Sequence, residues 1–249
     1  MEHDGEGTAG SALPTAPPPP ASAATIFGDA LPKAERFVGH LASTGISWGL
    51  VGPREVPRLW DRHVLNCAVV SDLLPADASV IDIGSGAGLP GLTIAVRRPD
   101  LRVLLVEPLL RRARWLEQVV DDLQLGNVTV RRARAEELRG AEQGDYVTAR
   151  AVASLDRLAG WALPLLRPGG ELLALKGRSA HEEVERTAAA VEAAGGVATE
   201  VVTVGEGMVD PPLTVVRVIA GERPSARRSG AASARRGRRP RPTRRPPAG

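Results

Sequence analysis

Hydrophobic and polar positions along the middle of the chain predict a regular succession of strands and helices. Short apolar runs typical of buried strands lie at residues 79–83, 102–106, 127–131, 145–149 and 171–175. Amphipathic stretches between them predict helices from about residue 90 and over 109–124, 155–166 and 180–194. This alternation favours an α/β fold with a Rossmann-like, doubly wound and mostly parallel sheet. Two last strands, near 198–204 and 213–219, predict an antiparallel hairpin at the sheet edge.

The segment 109–124 shows the helical pattern most clearly. Its apolar residues recur at steps of three and four positions, namely Leu109, Ala113, Leu116, Val120 and Leu123. We expect this face to pack on the sheet, and we expect Gly126-Asn127 to end the helix.

The rest of the chain predicts an organisation into four parts. Residues 1–25 are rich in Pro, Ala, Ser and Gly and are expected to be disordered. Residues 26–76 have apolar positions at mixed spacing, broken by Gly52-Pro53 and Pro57, and predict a helical N-terminal extension. Residues 77–220 carry the α/β pattern, and residues 221–249 form an Arg/Pro-rich tail without apolar periodicity that is also expected to be disordered.

Charge is unevenly distributed between this tail and the remainder of the chain. Ten arginines against one glutamate give the tail a formal charge of +9, which leaves −6 for the other residues because the net charge is +3. Two interpretations of the tail stay open, a polyanion-binding arm that favours RNA and a solubilising extension.

Targeting and redox signals are simple. Glu2, Asp4 and Glu6 replace the basic start of a secretory signal, and no apolar run reaches the length of about 18 residues that a membrane span needs. We therefore expect a cytoplasmic protein without a membrane partner. The single Cys67 excludes an internal disulfide and a Cys-based zinc cluster, and no metal is predicted.

A glycine-rich turn follows the strand at 79–83 and is the main chemical motif. Gly84, Gly86 and Gly88 allow positive φ angles and close approach of a ligand, and the helix after them presents unpaired N–H groups. The run from Gly86 to Gly91 fits the G-x-G-x-x-G fingerprint of dinucleotide sites. We expect a nucleoside cofactor here, whether or not it is a dinucleotide.

The position of the acid relative to the glycines favours a different cofactor. Asp82 lies two residues before Gly84, and this register resembles motif I of the S-adenosylmethionine-dependent methyltransferases. The resemblance implies their class I fold. A sulfonium cation also suits an acidic neighbour better than a pyrophosphate does. A dinucleotide fold stays the alternative.

Residues that close the other strands are further candidates, because ligands of such sheets bind beyond the carboxyl ends of the strands. Glu107 can accept hydrogen bonds from ribose hydroxyls. Ala135 and Glu136 can face the adenine edge, although Glu136 can equally begin a helix. Arg150 falls at the centre of the cleft edge, or is a buried structural arginine paired with Asp82 or Glu107.

Lys176, at the end of the fifth strand, is placed to hold a phosphate or is simply solvated. Arg111, Arg112 and Arg114 share the first turn of a helix, where cations oppose the macrodipole, and we expect them to bind RNA phosphates near the pocket.

Four segments carry a narrower resemblance: Arg62-His63-Val64-Leu65-Asn66, the loop from Gly84 to Gly91, Ser154-Leu155, and Ala174-Leu175-Lys176-Gly177. Together they resemble the small-subunit ribosomal RNA guanine-N7 methyltransferase family, once called glucose-inhibited division protein B, over about residues 30 to 220. The resemblance implies contacts with S-adenosylmethionine at Gly84, Leu89, Ala135, Glu136 and Arg150. Asn66-Cys67 departs from the Asp-Ser of many members.

The resemblance implies methyl transfer from S-adenosylmethionine to N7 of a specific guanine in 16S ribosomal RNA of the small subunit. N7 has a free lone pair, so no general base is required, and Arg150 and Lys176 are expected to position the substrate. His40 and His63 are then helix or pocket-wall residues. The alternatives are a small-molecule methyltransferase and a noncatalytic RNA-binding assembly factor. We expect a monomer.

Overall fold

One sheet organises the chain. The computed structural model describes residues 15–222, so the predictions for residues 1–14 and 223–249 lie outside the described residues. The strands are β1 Ser79–Ile83, β2 Arg102–Val106, β3 Val128–Arg131, β4 Gly144–Arg150, β5 Leu166–Lys176, β6 Gly196–Val204 and β7 Leu213–Ala220. These seven strands form one sheet in the order β3-β2-β1-β4-β5-β7-β6.

The strand directions confirm the predicted fold class. Strands β1 to β5 pair in parallel, whereas β7 runs antiparallel between β5 and β6. The carboxyl ends of β1, β2, β4 and β5 therefore meet at one edge of the sheet, here called the carboxyl edge. The loop between β6 and β7 returns to the same edge, because Thr214 pairs with Lys176.

Helices cover both faces of the sheet. They are α1 Ala21–Phe27, α2 Leu31–Ala42, α3 Thr44–Ser47, α4 Asn66–Ala68, α5 Gly91–Arg97, α6 Leu110–Asp122, α7 Leu155–Ala162 and α8 Ala180–Ala193. A π-helical segment, Leu59–Leu65, precedes α4. Within the described range, no helix combines the length and apolar character that crossing a membrane requires.

Alternate residues of each strand feed two separate hydrophobic cores. Val80 and Leu105 pack with the N-terminal helices, α5 and α6, whereas Ile81 and Val147 pack with α7 and α8. This is the period-two alternation expected of a sheet that is covered on both faces. The helical N-terminal extension thus shares a core with the sheet, and the division at residue 76 stays a prediction.

Part of the N-terminal segment expected to be disordered is helical and packed. Helix α1 begins at Ala21, inside the segment expected to be disordered, and Ala23, Ile26 and Phe27 are buried. The indole Nε1 of Trp60 also donates to the carbonyl of Pro17 at 3.0 Å. A few apolar side chains suffice here because the N-terminal core provides a surface for them.

The face predicted for α6 is correct in its middle and wrong at its start. Ala113, Leu116 and Leu123 are buried, but Leu109 is 53% exposed. Leu109 precedes the helix in an extended conformation, with φ −84° and ψ 117°. Its side chain therefore leaves the helical stripe and lies at the surface.

The predicted helix 155–166 and strand 171–175 also change at their boundary. Helix α7 ends at Ala162 and a 3-10 turn, Leu163–Leu165, follows. Pro164 lacks the backbone N–H that an α-helix interior requires. Strand β5 begins at Leu166 because that residue pairs with Gly144 across a register shift.

The junction between β1 and α5 is packed too closely for any side chain at Gly91. A Cβ built there would lie 2.3 Å from Leu105 Cδ2 and 2.8 Å from Asp82 Oδ2. Both neighbours are buried, so neither can move freely. Only glycine lets α5 start directly over the centre of β1.

We predict that Gly91→Ala destabilises the protein although alanine is the better helix former. Helix propensity would add about 1 kcal/mol of stability, but overpacking costs about 1–3 kcal/mol and outweighs it. Gly39→Ala in α2, where a Cβ would have no neighbour within 4 Å, is the matched control and should be neutral or stabilising. Urea unfolding of both variants measures the difference; equal stabilities would refute the steric account.

Candidate cofactor and substrate site

The glycine-rich turn has the conformation that its sequence predicts. Gly84, Gly86 and Gly88 have φ angles of 68°, 53° and 81°, in the left-handed region that favours glycine. The N–H of Gly84 donates to the carbonyl of Val106 at 2.8 Å, which ties the turn to β2. A Cβ on Gly84 would also lie 2.9 Å from Val152 Cγ2. The turn is therefore fixed both by its backbone angles and by a close neighbour.

Glu107 fixes the same turn from the next strand. Its side chain is buried, with only 2% of the residue surface exposed. Oε2 accepts from the N–H of Gly86 at 3.0 Å, and Oε1 accepts from the N–H of Leu109 at 3.0 Å. A carboxylate oxygen can accept more than one hydrogen bond, so both retain capacity for a ligand. The predicted contact with ribose stays a prediction.

A small apolar cavity lies beside Gly84 at the carboxyl edge. Its volume is about 160 Å³, and its walls are Ile83, Gly84, Val106, Pro108, Ala133, Arg134, Ala135, Glu136, Val152 and Trp161. The structure thus brings together Gly84, Ala135 and Glu136 from the predicted cofactor residues. Gly86, Gly88 and Leu89 lie in the turn but do not line this cavity.

The roles of the two neighbouring glutamates differ. Glu137 Oε2 accepts from the N–H of Arg134 at 3.0 Å and so closes the short turn Ala135–Leu138. Glu136 instead lies in the wall of the apolar cavity. Both glutamates lie in the first turn of Ala135–Leu138, so the helix-start interpretation fits both. Glu136 also borders the cavity, and its contact with a ligand stays a prediction.

Val152 and Trp161 supply apolar walls that the sequence reasoning missed. Trp161 is three residues after Leu158 on α7, so its spacing is that of an ordinary core residue. Its ring instead borders the cavity, with the guanidinium of Arg157 5.1 Å from the ring centroid. A broad aromatic face beside an apolar cavity can cover a purine ring.

Asp82 supports the turn from inside the fold. Thr148 Oγ1 donates to its Oδ1 at 2.9 Å, and Ser85 Oγ donates to its main-chain carbonyl at 2.9 Å. Oδ2 is buried without a hydrogen-bond partner in the described part of the chain. Burial raises the pKa of Asp82 to about 6, and the hydrogen bonds oppose this rise.

A second cavity lies on the other side of the end of β4. Its volume is about 380 Å³, and it is lined by Arg62, Asn66, Cys67, Arg150, Ala151, Leu175, Lys176, Gly177 and Leu213. Ala151 borders this cavity and Val152 borders the first, so one stretch of backbone separates them. Ala151 has a φ of 54°, which is uncommon for a residue with a Cβ and marks a strained point between the cavities.

Arg150 does not pair with either acid that the structural interpretation proposed. Its Nη1 donates to Cys67 Sγ at 3.0 Å, and its Nη2 donates to Nδ1 of His63. No bond joins it to Asp82 or Glu107 within residues 15–222, so that alternative is wrong. His63 is held in turn, with Nε2 2.8 Å from Glu55 Oε2.

Lys176 is neither solvated nor free. Its Nζ lies 2.9 Å from Glu183 Oε1 and donates to the carbonyl of Ala153 at 3.1 Å, with only 14% of its side chain exposed. The solvated alternative is therefore wrong. The phosphate role stays a prediction, and a phosphate would have to share this cation with Glu183.

Two of the three predicted arginines at the start of α6, Arg111 and Arg114, border an open cavity, and Arg112 does not line it. Arg111 Nη2 donates to the carbonyl of Ser47 at 3.0 Å, and its guanidinium lies 5.8 Å from the Trp48 ring centroid. Arg114, Leu110 and Trp48 line the cavity with it. Leu109 and Leu110 are 53% and 41% exposed. This cation, aromatic and apolar surface adjoins the carboxyl edge through Leu109, whose N–H binds Glu107.

Comparison with known proteins places the chain among ribosomal RNA methyltransferases. A family model described as rRNA small subunit methyltransferase G, GidB, matches residues 30–212. A protein named ribosomal RNA small subunit methyltransferase G from Arthrobacter sp. is 57% identical over 201 residues, which are 81% of this chain and 93% of that one. Its counterpart from Streptomyces avermitilis is 54% identical over 223 residues, with 89% and 94% covered.

Among solved structures, an O-methyltransferase family protein from Burkholderia thailandensis matches with a TM-score of 0.51 and 19% identity. The match covers 76% of this chain and 63% of that one, and it supports the fold alone. The family model goes further, because residues 30–212 include the turn, the first cavity, the arginine surface and every lining residue of the second cavity except Leu213. The chain belongs to the rRNA small subunit methyltransferase G family.

Proposed function

We propose that this protein transfers the methyl group of S-adenosylmethionine to N7 of a guanine in 16S ribosomal RNA of the small subunit. The observation that carries the proposal is the pair of cavities that adjoin across Arg150–Val152 in a chain of this family. One cavity is small and mainly apolar, and the other is larger and lined by cations. The reaction belongs in the cytoplasm, where ribosomal RNA is found, and we expect the protein to act as a monomer.

The first cavity and the turn beside it fit S-adenosylmethionine. The apolar walls from Val152 and Trp161 suit the adenine, and Glu136 offers a carboxylate to its polar edge. Glu107 suits the ribose hydroxyls, because its two oxygens accept one N–H each and retain capacity. The cofactor supplies a methyl group on a sulfonium cation. The chain supplies a cradle at Gly84 that a Cβ would fill.

The second cavity suits the guanine. Its volume of about 380 Å³ lies within the range of small-ligand pockets, about 300–1,000 Å³. Asn66 Oδ1 is buried there without a partner among the described residues, and the guanine edge carries the N–H donors that such an oxygen accepts. Arg62 and Arg150 provide donors for the acceptor O6 or for a phosphate.

The chemistry needs positioning more than proton transfer. The N7 lone pair forms the bond to the methyl carbon, the carbon–sulfur bond breaks, and its electron pair stays on sulfur. The positive charge of the sulfonium passes to the purine, and no proton has to be removed first. Arg150, fixed between the cavities, is thus a residue that aligns the reactants.

The N7 edge in paired RNA lies in a deep and narrow groove, so the target base must be unpaired or turned out of its helix. The surface of Trp48, Arg111 and Arg114 can then hold the flanking nucleotides, since the half-buried Trp48 ring and the guanidinium planes offer faces on which bases stack. Only 3% of the residues in the chain are aromatic, so guanidinium groups supply part of the surface on which bases stack.

The central test is to incubate the protein with S-adenosylmethionine labelled in its methyl group and with undermethylated small subunits, naked RNA or no RNA. We expect label at guanine N7 in RNA and none without it. Label in small metabolites would indicate the small-molecule enzyme, and RNA binding without any transfer would indicate the assembly factor.

A matched pair of glycine variants sharpens this assay. Gly84→Ala should lower transfer at least tenfold, since its Cβ would meet Val152 at 2.9 Å and strain the turn. The Gly169→Ala variant puts the same strain on the backbone, since φ is 76° there, but its Cβ would have no neighbour within 4 Å. Gly169 lies near the start of β5, at the end of the strand opposite the carboxyl edge. The variant should retain activity in the protein that stays folded.

We also predict that the arginine surface carries part of the RNA affinity. Changing Arg111, Arg112 and Arg114 to Gln should weaken RNA binding and reduce the slope of log affinity against log salt by up to about 2, because each phosphate that the protein neutralises contributes about 0.7 to that slope. Changing the exposed Arg36, Arg102 and Arg186 instead removes equal charge elsewhere. If both triple variants give the same slope, the surface is only a solvated helix face.

A further inference from the structure

The N-terminal extension reaches the site through a short chain of side chains. Arg150 Nη1 binds Cys67 Sγ at 3.0 Å, and Nη2 binds His63 Nδ1. His63 Nε2 then lies 2.8 Å from Glu55 Oε2. The His63 side chain is only 14% exposed, whereas that of Glu55 is 33% exposed. Arg150, at the end of β4, is therefore held directly by His63 and Cys67 and indirectly by Glu55, and all three precede the sheet in sequence.

The donors and acceptors in this chain of side chains assign the histidine tautomer. A guanidinium only donates, so Nδ1 of His63 must accept and carries no proton. Nε2 then carries the proton and donates to Glu55. A proton on Nδ1 would remove the acceptor and place an N–H against a cation. The hydrogen bond with Arg150 thus exists only with a neutral ring.

We propose that His63 is a positioning residue that orients Arg150 for methyl transfer and is itself oriented by Glu55. The inference rests on the proposed function, because methyl transfer is the reaction that Arg150 serves. An arginine side chain has many rotamers, and holding two of its five N–H groups fixes the plane of the others. Those others remain for ligands in the adjoining cavity, which Arg150 lines.

The strained backbone beside Arg150 connects the two cavities, so the orientation of the Arg150 guanidinium affects how the reactants align. Ala151, the next residue, has a φ of 54°, and Val152 then touches the position where Gly84 would carry a Cβ. The end of β4 therefore borders both cavities: Arg150 and Ala151 line the second, and Val152 lines the first. Releasing the guanidinium would disturb the alignment of the reactants without removing any group that touches them.

Electrostatics predicts the pH range in which this hydrogen bond exists. The charged groups that face the ring are Glu55 from segment 53–58, Arg62 from its own helix and Arg150 from β4. Burial lowers the pKa of His63, the charges of Arg150 and Arg62 add to this, and Glu55 opposes it. The hydrogen bond that positions Arg150 is present above this pKa and breaks as the pH falls through it.

The test is a double-mutant cycle read out as kcat/KM for RNA methylation and as the dissociation constant of S-adenosylmethionine. His63→Leu, which removes the acceptor, should lower kcat/KM about tenfold. His63→Asn, whose Oδ1 can replace Nδ1 as an acceptor, should recover to within about threefold of the wild type. In an Arg150→Lys background, His63→Leu should cost less than about twofold, since the group it orients is gone.

A pH profile separates positioning from a purely structural role. Glu55→Gln keeps an acceptor for Nε2 but removes the charge that raises the pKa of His63, so the acid limb of kcat/KM should move to lower pH. Cys67→Ser keeps an acceptor for Arg150 and should leave the limb in place. Circular dichroism checks that every variant is folded; if His63→Leu is not, the Asn and Gln variants decide.

The outcomes distinguish this inference from the proposed function. Equal losses from His63→Leu in both backgrounds, or an acid limb that Glu55→Gln does not move, would overturn the inference while wild-type methylation stands. Wild-type protein that binds S-adenosylmethionine but methylates no RNA would refute the proposed function. The cycle on the dissociation constant would then decide the positioning role alone.

Discussion

The rest of the site depends on the two hydrogen bonds that the buried Glu107 carboxylate accepts from the backbone. The carboxylate joins the turn after β1 to the start of α6 by accepting the N–H groups of Gly86 and Leu109. Hydrogen bonds to a charged acceptor contribute about 1.5–3 kcal/mol each, and here two of them end on one residue. Glu107 therefore fixes the position of the turn relative to the start of α6. The apolar cavity beside the turn and the arginine surface on α6 are held in place relative to each other.

Acidic and basic side chains lie in different parts of the carboxyl edge, as the proposed methyl transfer requires. Asp82 in β1 and Glu107 after β2 support the turn on the side proposed for the cofactor, whereas Arg62, Arg150 and Lys176 line the second cavity. Under the proposed function, the sulfonium lies on the side of the acids and the anionic RNA on the side of the cations. Lys176 pairs with Glu183 at 2.9 Å and Arg62 with Glu55 at 3.8 Å. Of these three cations, Arg150 is the one whose partners within residues 15–222, Cys67 and His63, are neutral.

The sheet was predictable from the sequence because its strands follow local rules. The boundaries of β1 and β2 are confirmed as predicted, since short apolar runs beside glycine or a charged residue identify buried strands. The glycine turn was equally predictable, as positive φ angles select glycine. Contacts between distant segments were not. Neither the Cys67 contact of Arg150 nor the Glu183 contact of Lys176 has any signal in local sequence, and the spacing of Trp161 matches that of a core residue.

The most direct measurement of the central claim is calorimetric titration of the wild type and Glu107→Gln with S-adenosylmethionine and with a nicotinamide dinucleotide. The claim is that the turn fixed by Glu107 holds the methyl donor. It predicts that the wild type binds S-adenosylmethionine and that Glu107→Gln, which sets an amide N–H against a backbone donor, weakens the affinity at least tenfold. Saturable heat from the dinucleotide alone, or unchanged affinity in the variant, would contradict it.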